Sequence, residues 1–231
     1  MPLVPLPPQP NAVPWPTAQW PRGTLEPALQ REVERHAHEI FALSPAQGVT
    51  YALLVVKSGR IVYERYAAGA SAMYLQYSWS MAKSITHALA GILVRDGRLD
   101  LHAPAAVPEW QSAGDPRRTI TLDQLLRMSS GLAFTEDYVD GEVSDVIRML
   151  TGEGRHDMGA FAAAKPLAHA PGTAWSYASG TTNIVCRILR DAIGNGATGM
   201  LDFMRRELFE PIGMTTPLPP GNHLADWSSS A

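Results

Sequence analysis

The run from Ser80 to Arg95 constrains this chain more than any other. Ile85, Ala88, Leu89, Ile92, Leu93 and Val94 fall on most faces of a helix, which predicts a helix buried nearly all round in the middle of a domain. At its head stands Tyr77-Ser78-Trp79-Ser80-Met81-Ala82-Lys83-Ser84. Ser80 and Lys83 lie three residues apart, so a helix projects both from one face, within reach of each other. The helix N-terminus adds unpaired N–H groups and a partial positive charge beside the serine. A lysine withdrawn from water gives up its proton more readily, because desolvation disfavours an ammonium. The neutral amine can then take the proton of a neighbouring serine. The spacing predicts an acyl-transfer nucleophile, Ser80, with Lys83 as its base.

Composition narrows the alternatives. A chain of 231 residues with 45% hydrophobic and 18% charged residues has room for a sizeable core in one large domain or two small ones. A net charge of −3 and a pI near 6.2 leave no basic footprint, which argues against a nucleic-acid partner. The single cysteine, Cys186, excludes an internal disulfide framework and sits in an apolar helical run, as a core residue would. There is no CxxC or HExxH pattern, and His36 and His38 are spaced onto different faces of one helix. No metal or other cofactor is therefore expected. No basic and apolar leader opens the sequence and no run approaches the length of a membrane span, so the expectation is a cytoplasmic protein without a membrane partner. The oligomeric state is left open.

Residues 1–23 are rich in proline and include Pro14-Trp15-Pro16 and Trp20-Pro21. They read as an extended arm, with Trp15 and Trp20 favouring packing along a surface over disorder. Residues 25–41 carry a helical stripe of Leu29, Val33, Ala37, Ile40 and Phe41, with Pro27 suited to the first turn. Residues 50–56 and 60–66 read as strands of a hairpin turning at Ser58-Gly59, and the unbroken Leu53–Val56 run predicts a strand covered on both faces. Thr121-Leu122-Asp123-Gln124 is a capping box opening a short helix to Met128, stopped by Gly131. Further helices are predicted over residues 142–150, 157–164, 181–193 and 200–209. After Pro211 the chain turns Pro-, Gly- and Ser-rich. Two strands make a marginal sheet with bare edges, so a partner for the hairpin is expected beyond these elements.

A second motif, Pro171-Gly172-Thr173-Ala174-Trp175-Ser176-Tyr177-Ala178-Ser179-Gly180, precedes the helix predicted from Thr181. Tyr177 could pass a proton between Ser80, Lys83 and a leaving group; a lone tyrosine in a Gly/Ser turn is otherwise a half-buried packing residue.

S-x-x-K is a signature of serine β-lactamases and penicillin-binding proteins. "SWSMAKS", "ITLDQLLRMSSGL", "PGTAWSYASG" and "LFEPIGM" follow one another in this chain. The ordered set resembles the class C β-lactamase-like, penicillin-recognising serine hydrolases over about Leu25 to Met214. Within them the chain looks closest to the 6-aminohexanoate-oligomer (nylon-oligomer) hydrolases and related carboxylesterases, on its Pro/Trp-rich lead-in and the "FTEDYVD" segment.

The resemblance implies an α/β (α+β) fold: an antiparallel sheet flanked by helices, plus an all-helical subdomain. It implies an arm over 1–23 and one hydrolase domain over 24–231, with helix and hairpin in 24–67 and a mainly helical part in 68–231. Ser80 would be acylated, Lys83 would activate it and Tyr177 would relay protons. Tyr138 would match a tyrosine of a mobile loop that closes over the substrate amide, and Ser179 would face the substrate. The implied substrate is a small amide or ester.

Two departures qualify this. The Tyr-x-Asn pattern of class C β-lactamases reads Tyr177-Ala178-Ser179 here, so the amide side chain that helps to hold a β-lactam is missing. The third motif, a Lys-Thr-Gly or His-x-Gly run on a later strand that lines the site and donates to the oxyanion, is absent. The later strands and the C-terminal helix are also missing, so the expectation is the N-terminal part of a longer enzyme, with "PLPPGNHLADWSSSA" unlike the family at that point. An inactive truncated fragment and a β-lactam-binding or β-lactamase-type protein are the competing readings.

Overall fold

The computed structural model describes residues 11–13, 19–138 and 144–214. Trp15, residues 139–143 and the segment 215–231 lie outside the described residues. The chain divides into two compact units, the first within Met1–Gln76 and Pro211–Thr216, the second within Tyr77–Glu210 and the residues after Thr216.

In the first unit, Pro27 opens helix α1 (Pro27–Phe41), where a missing N–H costs nothing. Ala37 is its buried centre, while Leu29 is exposed. Strands β1 (Ala52–Lys57) and β2 (Arg60–Tyr66) pair antiparallel from Ala52 opposite Tyr66 to Lys57 opposite Arg60, with an irregularity between Val55 and Val56. Ser58 and Gly59 both take positive φ, 50° and 70°, as the tight hairpin turn matched to strand twist requires.

The end of the proline-rich lead-in adds to this sheet. The Ile61 N–H donates to the Pro21 carbonyl at 2.9 Å and the Gly23 N–H to the Ile61 carbonyl at 3.0 Å. Arg22 pairs with Glu64, which also accepts from the Tyr66 hydroxyl. Those two hydrogen bonds, Tyr66 first, hold the Glu64 carboxyl below its ordinary range. Trp20, half exposed, stands just before the paired residues.

The expectation that β1 is covered on both faces does not hold. Leu54 and Val56 are 48% and 47% exposed, and Leu53 and Val55 are half-buried. Four apolar residues in a row imply two covering layers, but among the described residues the sheet has only two strands.

The second unit is helical. A 3₁₀ turn (Trp79–Met81) leads into α2 (Ala82–Arg95). This helix was expected from Ser80 and buried nearly all round; instead it buries one stripe, Thr86, Leu89, Ala90 and Leu93, and exposes Ser84, His87 and Gly91. The helix enclosed on most sides is α6 (Ser179–Ile193), buried continuously from Gly180 to Cys186 and again at Ile188 and Leu189. Its first residues are small, so neighbours come close: a Cβ on Gly180 would lie 2.4 Å from the Phe134 ring and 2.9 Å from the Ala162 Cβ.

Around α6 pack α2, α3 (Leu122–Leu126), α5 (Met158–Ala163) and α7 (Gly196–Met204), which ends in a wider π turn, Arg205–Phe209. α4 (Asp145–Thr151) lies against α5 and buries Val146 and Met149. Trp110 is fully buried and donates its indole N–H to the Ala163 carbonyl at 2.9 Å. The capping box at Thr121 and Gln124 is formed in both directions. Cys186 is buried, as expected.

Candidate active site

Two ordinary features of local structure bring the site together. The first is the start of α2, where Ser80 and Lys83 share a face. Lys83 Nζ donates to Ser80 Oγ at 3.1 Å. Ser80 is exposed and Lys83 half-buried. Trp79, the residue before the serine, takes φ of +45°, a left-handed conformation that costs a non-glycine residue on the order of 1–2 kcal/mol. The serine thus sits at a sharp entry into the helix.

The second is the turn that carries Tyr177. The Gly172 N–H donates to the Ser129 carbonyl at 2.8 Å and the Ser176 N–H to the Met128 carbonyl at 2.9 Å. These bonds pin the turn to the end of α3. Gly131 is required nearby, since it takes φ of +79° and a Cβ there would lie 2.2 Å from the His169 carbonyl oxygen. From this anchored turn the Tyr177 hydroxyl donates to Ser80 Oγ at 2.5 Å. Lys83 Nζ also lies 5.0 Å from the Tyr177 ring centre.

Ser179, the first residue of α6, completes the cluster. Lys83 Nζ donates to its Oγ at 3.1 Å, so one lysine touches both serines. The Ser179 hydroxyl then donates to Glu136 Oε1 at 2.8 Å, and the Ser179 N–H donates to the same carboxylate. The Tyr138 hydroxyl reaches Glu136 at 3.3 Å. Partial loss of water, then the Glu136 charge, raise the Tyr138 phenol above its ordinary value, though the side chain remains largely exposed.

Ser80, Lys83, Tyr177 and Ser179 are therefore in one hydrogen-bonded group, and Tyr138 joins it through Glu136. Sequence reasoning missed Glu136. Its only signal was its place in "FTEDYVD", and its partner Ser179 is 43 residues away. Among the described residues no group of three or more His, Cys, Asp or Glu side chains could hold a metal ion. No helix among them is long and apolar enough to cross a membrane.

The Beta-lactamase family model matches residues 40–218, most of the chain and every residue of this cluster. The chain belongs to the Beta-lactamase family. Its fold is of the β-lactamase type, helix-rich with a small antiparallel sheet. The solved structure of a "Putative 6-aminohexanoate-dimer hydrolase from Bacillus anthracis" is similar to it, with a TM-score of 0.58 and 20% sequence identity over 78% of this chain. The match covers 50% of that protein, so this Beta-lactamase family chain spans about half the length of its structural neighbour. No curated protein matches the sequence.

Proposed function

We propose that this chain is a serine hydrolase that cleaves small amides or esters through an acyl-enzyme on Ser80. One observation carries the reading: Ser80 Oγ is met by both Lys83 Nζ, at 3.1 Å, and the Tyr177 hydroxyl, at 2.5 Å. A nucleophile between a base and a proton relay is the arrangement that acyl transfer needs. Ser80 Oγ attacks the substrate carbonyl as its proton passes to a neutral Lys83 amine. The tetrahedral adduct expels an amine or alkoxide, which takes a proton through Tyr177. Water, deprotonated by the same pair, then releases the acyl group and restores Ser80.

Family membership and the fold of the neighbouring 6-aminohexanoate-dimer hydrolase support a hydrolase of this type. Tyr138, joined to the cluster through Glu136, is assigned the substrate amide in this reading. Ser179 replaces the amide that would help to hold a β-lactam, which favours linear amides and esters over β-lactams as substrates.

The test is intact-mass spectrometry of the 231-residue chain after treatment with a p-nitrophenyl ester or a fluorophosphonate. A single adduct on Ser80, absent from Ser80→Ala, is the expected result. A folded chain that takes no adduct would sink the reading and leave an inactive member of the family.

A further inference from the structure

Glu136 belongs to neither the Ser80 nor the Tyr177 motif, yet among the described residues its hydrogen bonds go to residues of the site. It accepts the N–H and the Oγ–H of Ser179 and the hydroxyl of Tyr138. A serine hydroxyl has one proton to give. With that proton directed to Glu136 at 2.8 Å, Ser179 Oγ shows Lys83 only lone pairs, and the 3.1 Å bond between them must be donated by the lysine. A neutral lysine amine has two N–H groups and one lone pair. In the resting arrangement Lys83 donates to both serines; once it has lost a proton, an N–H kept on Ser179 lets its lone pair turn to the other partner at 3.1 Å, Ser80 Oγ.

We propose, building on the serine-hydrolase reading above, that Glu136 is a positioning residue that sets the direction of this hydrogen-bond chain. Its carboxylate draws the Ser179 proton away from Lys83 and so reserves the lysine lone pair for the proton of Ser80. An amide at position 136 does this far less well, since both Ser179 donors would have to share one neutral oxygen. It has one accepting oxygen for the two donors of Ser179, and its NH₂ only donates. With the oxygen on the Ser179 N–H, the NH₂ donates to Ser179 Oγ, and the freed hydroxyl proton turns to the Lys83 lone pair. Ser80 then loses its base to Ser179.

This role differs from that of a helix cap. Glu136 also places negative charge at the N-terminus of α6 through the Ser179 N–H, which stabilises a helix start wherever it occurs. Capping needs only the backbone N–H, whereas directing the proton needs the Ser179 hydroxyl. The two roles separate when the hydroxyl is removed.

The experiment measures the rate of Ser80 acylation, by ester burst and by fluorophosphonate labelling, in wild type, Glu136→Gln, Ser179→Ala and the double variant. Thermal melts by circular dichroism accompany each. Glu136→Gln should acylate about 10- to 100-fold more slowly, a loss in the range of a misdirected base. Ser179→Ala deletes the competing proton together with any contact of its own and so sets a new baseline, and the double variant should match that baseline within about threefold, a strongly non-additive cycle.

Equal slowing by Glu136→Gln with and without the Ser179 hydroxyl would overturn the inference and leave only a cap. So would a Glu136→Gln protein that acylates at the wild-type rate. If the glutamine variant does not fold, Glu136→Asp and Glu136→Asn put the same question at equal length, and equal rates in that pair overturn the inference. An unlabelled wild type is a separate result: it removes the hydrolase reading, and this inference with it.

Discussion

The Tyr177 hydroxyl donates to Ser80 Oγ across 2.5 Å, although the two residues are 97 positions apart. Ser80 offers no other tyrosine partner among the described hydrogen bonds, so Tyr177→Phe removes the proposed relay while leaving the ring in place. General acid–base groups contribute typically about 10²- to 10⁴-fold, and turnover of an ester should fall by at least the lower figure. Because Tyr177 is partly exposed, the melting temperature should barely move. Stopped-flow release of p-nitrophenol beside a thermal melt checks both; unchanged turnover in a folded variant would remove Tyr177 from the mechanism.

Tyr138 carries a finer prediction. Its phenol is raised above the ordinary value, first by loss of water and then by the Glu136 charge, so it keeps its proton through neutral and mildly basic pH. A protonated phenol can donate to an amide nitrogen as that nitrogen leaves, a service an ester oxygen needs less. Tyr138→Phe should therefore reduce hydrolysis of an amide several times more than hydrolysis of the matched ester. Equal losses on the two substrates would make Tyr138 a packing residue.

The segment that presents Glu136 and Tyr138 is held at its stem by Asp145. Its carboxylate accepts from the Thr135 N–H at 3.0 Å, the Thr135 hydroxyl at 3.2 Å and Lys165 Nζ at 2.5 Å. Burial alone would raise its pKa, but Lys165 and the Thr135 bonds outweigh it and bring the group below the 3.8 of a free aspartate. A carboxyl depressed in the folded state contributes stability that is full above its unfolded pKa and is lost as pH falls through the folded one. The Thr135 amide should thus stay protected from hydrogen exchange at neutral pH and lose protection only in acid, below the ordinary aspartate range. Asp145→Ala should lose it at every pH. Protection that survives in Asp145→Ala would show that the stem is held by other groups.

How much of this was legible in the sequence follows from how far apart the deciding residues are. Ser80 and Lys83 were readable because one helical turn fixes their relation, and the Thr121 capping box because its bonds close within three residues. Tyr177 could be named from its motif, but its contact with Ser80 depends on the Met128 and Ser129 carbonyls that anchor its turn. Glu136 had no local sign beyond its place in "FTEDYVD", since what makes it part of the site is Ser179, set by the packing of α6. Burial was misjudged for a related reason. The apolar faces of α2 and the Leu53–Val56 run record what a side chain tolerates, whereas exposure depends on the layers set against it. The enclosure of α6 on most sides came instead from small residues, Gly180 above all, that let other elements approach.

Cys186 tests the α6 packing chemically. Burial pushes its thiol up to about 12, against 9.0 for a free thiol, with the Thr86 hydroxyl only partly opposing this. Only a thiolate reacts quickly with an alkylating agent, so the native protein should resist iodoacetamide at pH 8–9 and take one equivalent when unfolded. The raised pKa also means that the stability it contributes is full below the unfolded pKa of 9.0 and is lost as pH rises towards 12. Rapid native alkylation would mean that α6 opens far more readily than its burial implies.

The sharpest test of the link between core and site is Gly180→Ala. Gly180 follows Ser179 directly and faces Phe134, two residues before Glu136 in the chain. An added Cβ would lie 2.4 Å from the Phe134 ring and 2.9 Å from the Ala162 methyl, both closer than real contacts allow. Helix propensity favours the change by roughly 1 kcal/mol, but overpacking a filled core costs about 1–3 kcal/mol and forces side chains or backbone to shift. The clash should win, because Ala162 has no side-chain rotamer through which to yield and Phe134 is itself buried. A net loss of about 1–2 kcal/mol in urea unfolding is the expected outcome. Acylation of Ser80 should slow as well, since moving Phe134 carries Glu136 away from Ser179. A variant as stable and as reactive as wild type would show that the start of α6 is looser than the Phe134 and Ala162 contacts require, and that the serine–lysine pair does not depend on it.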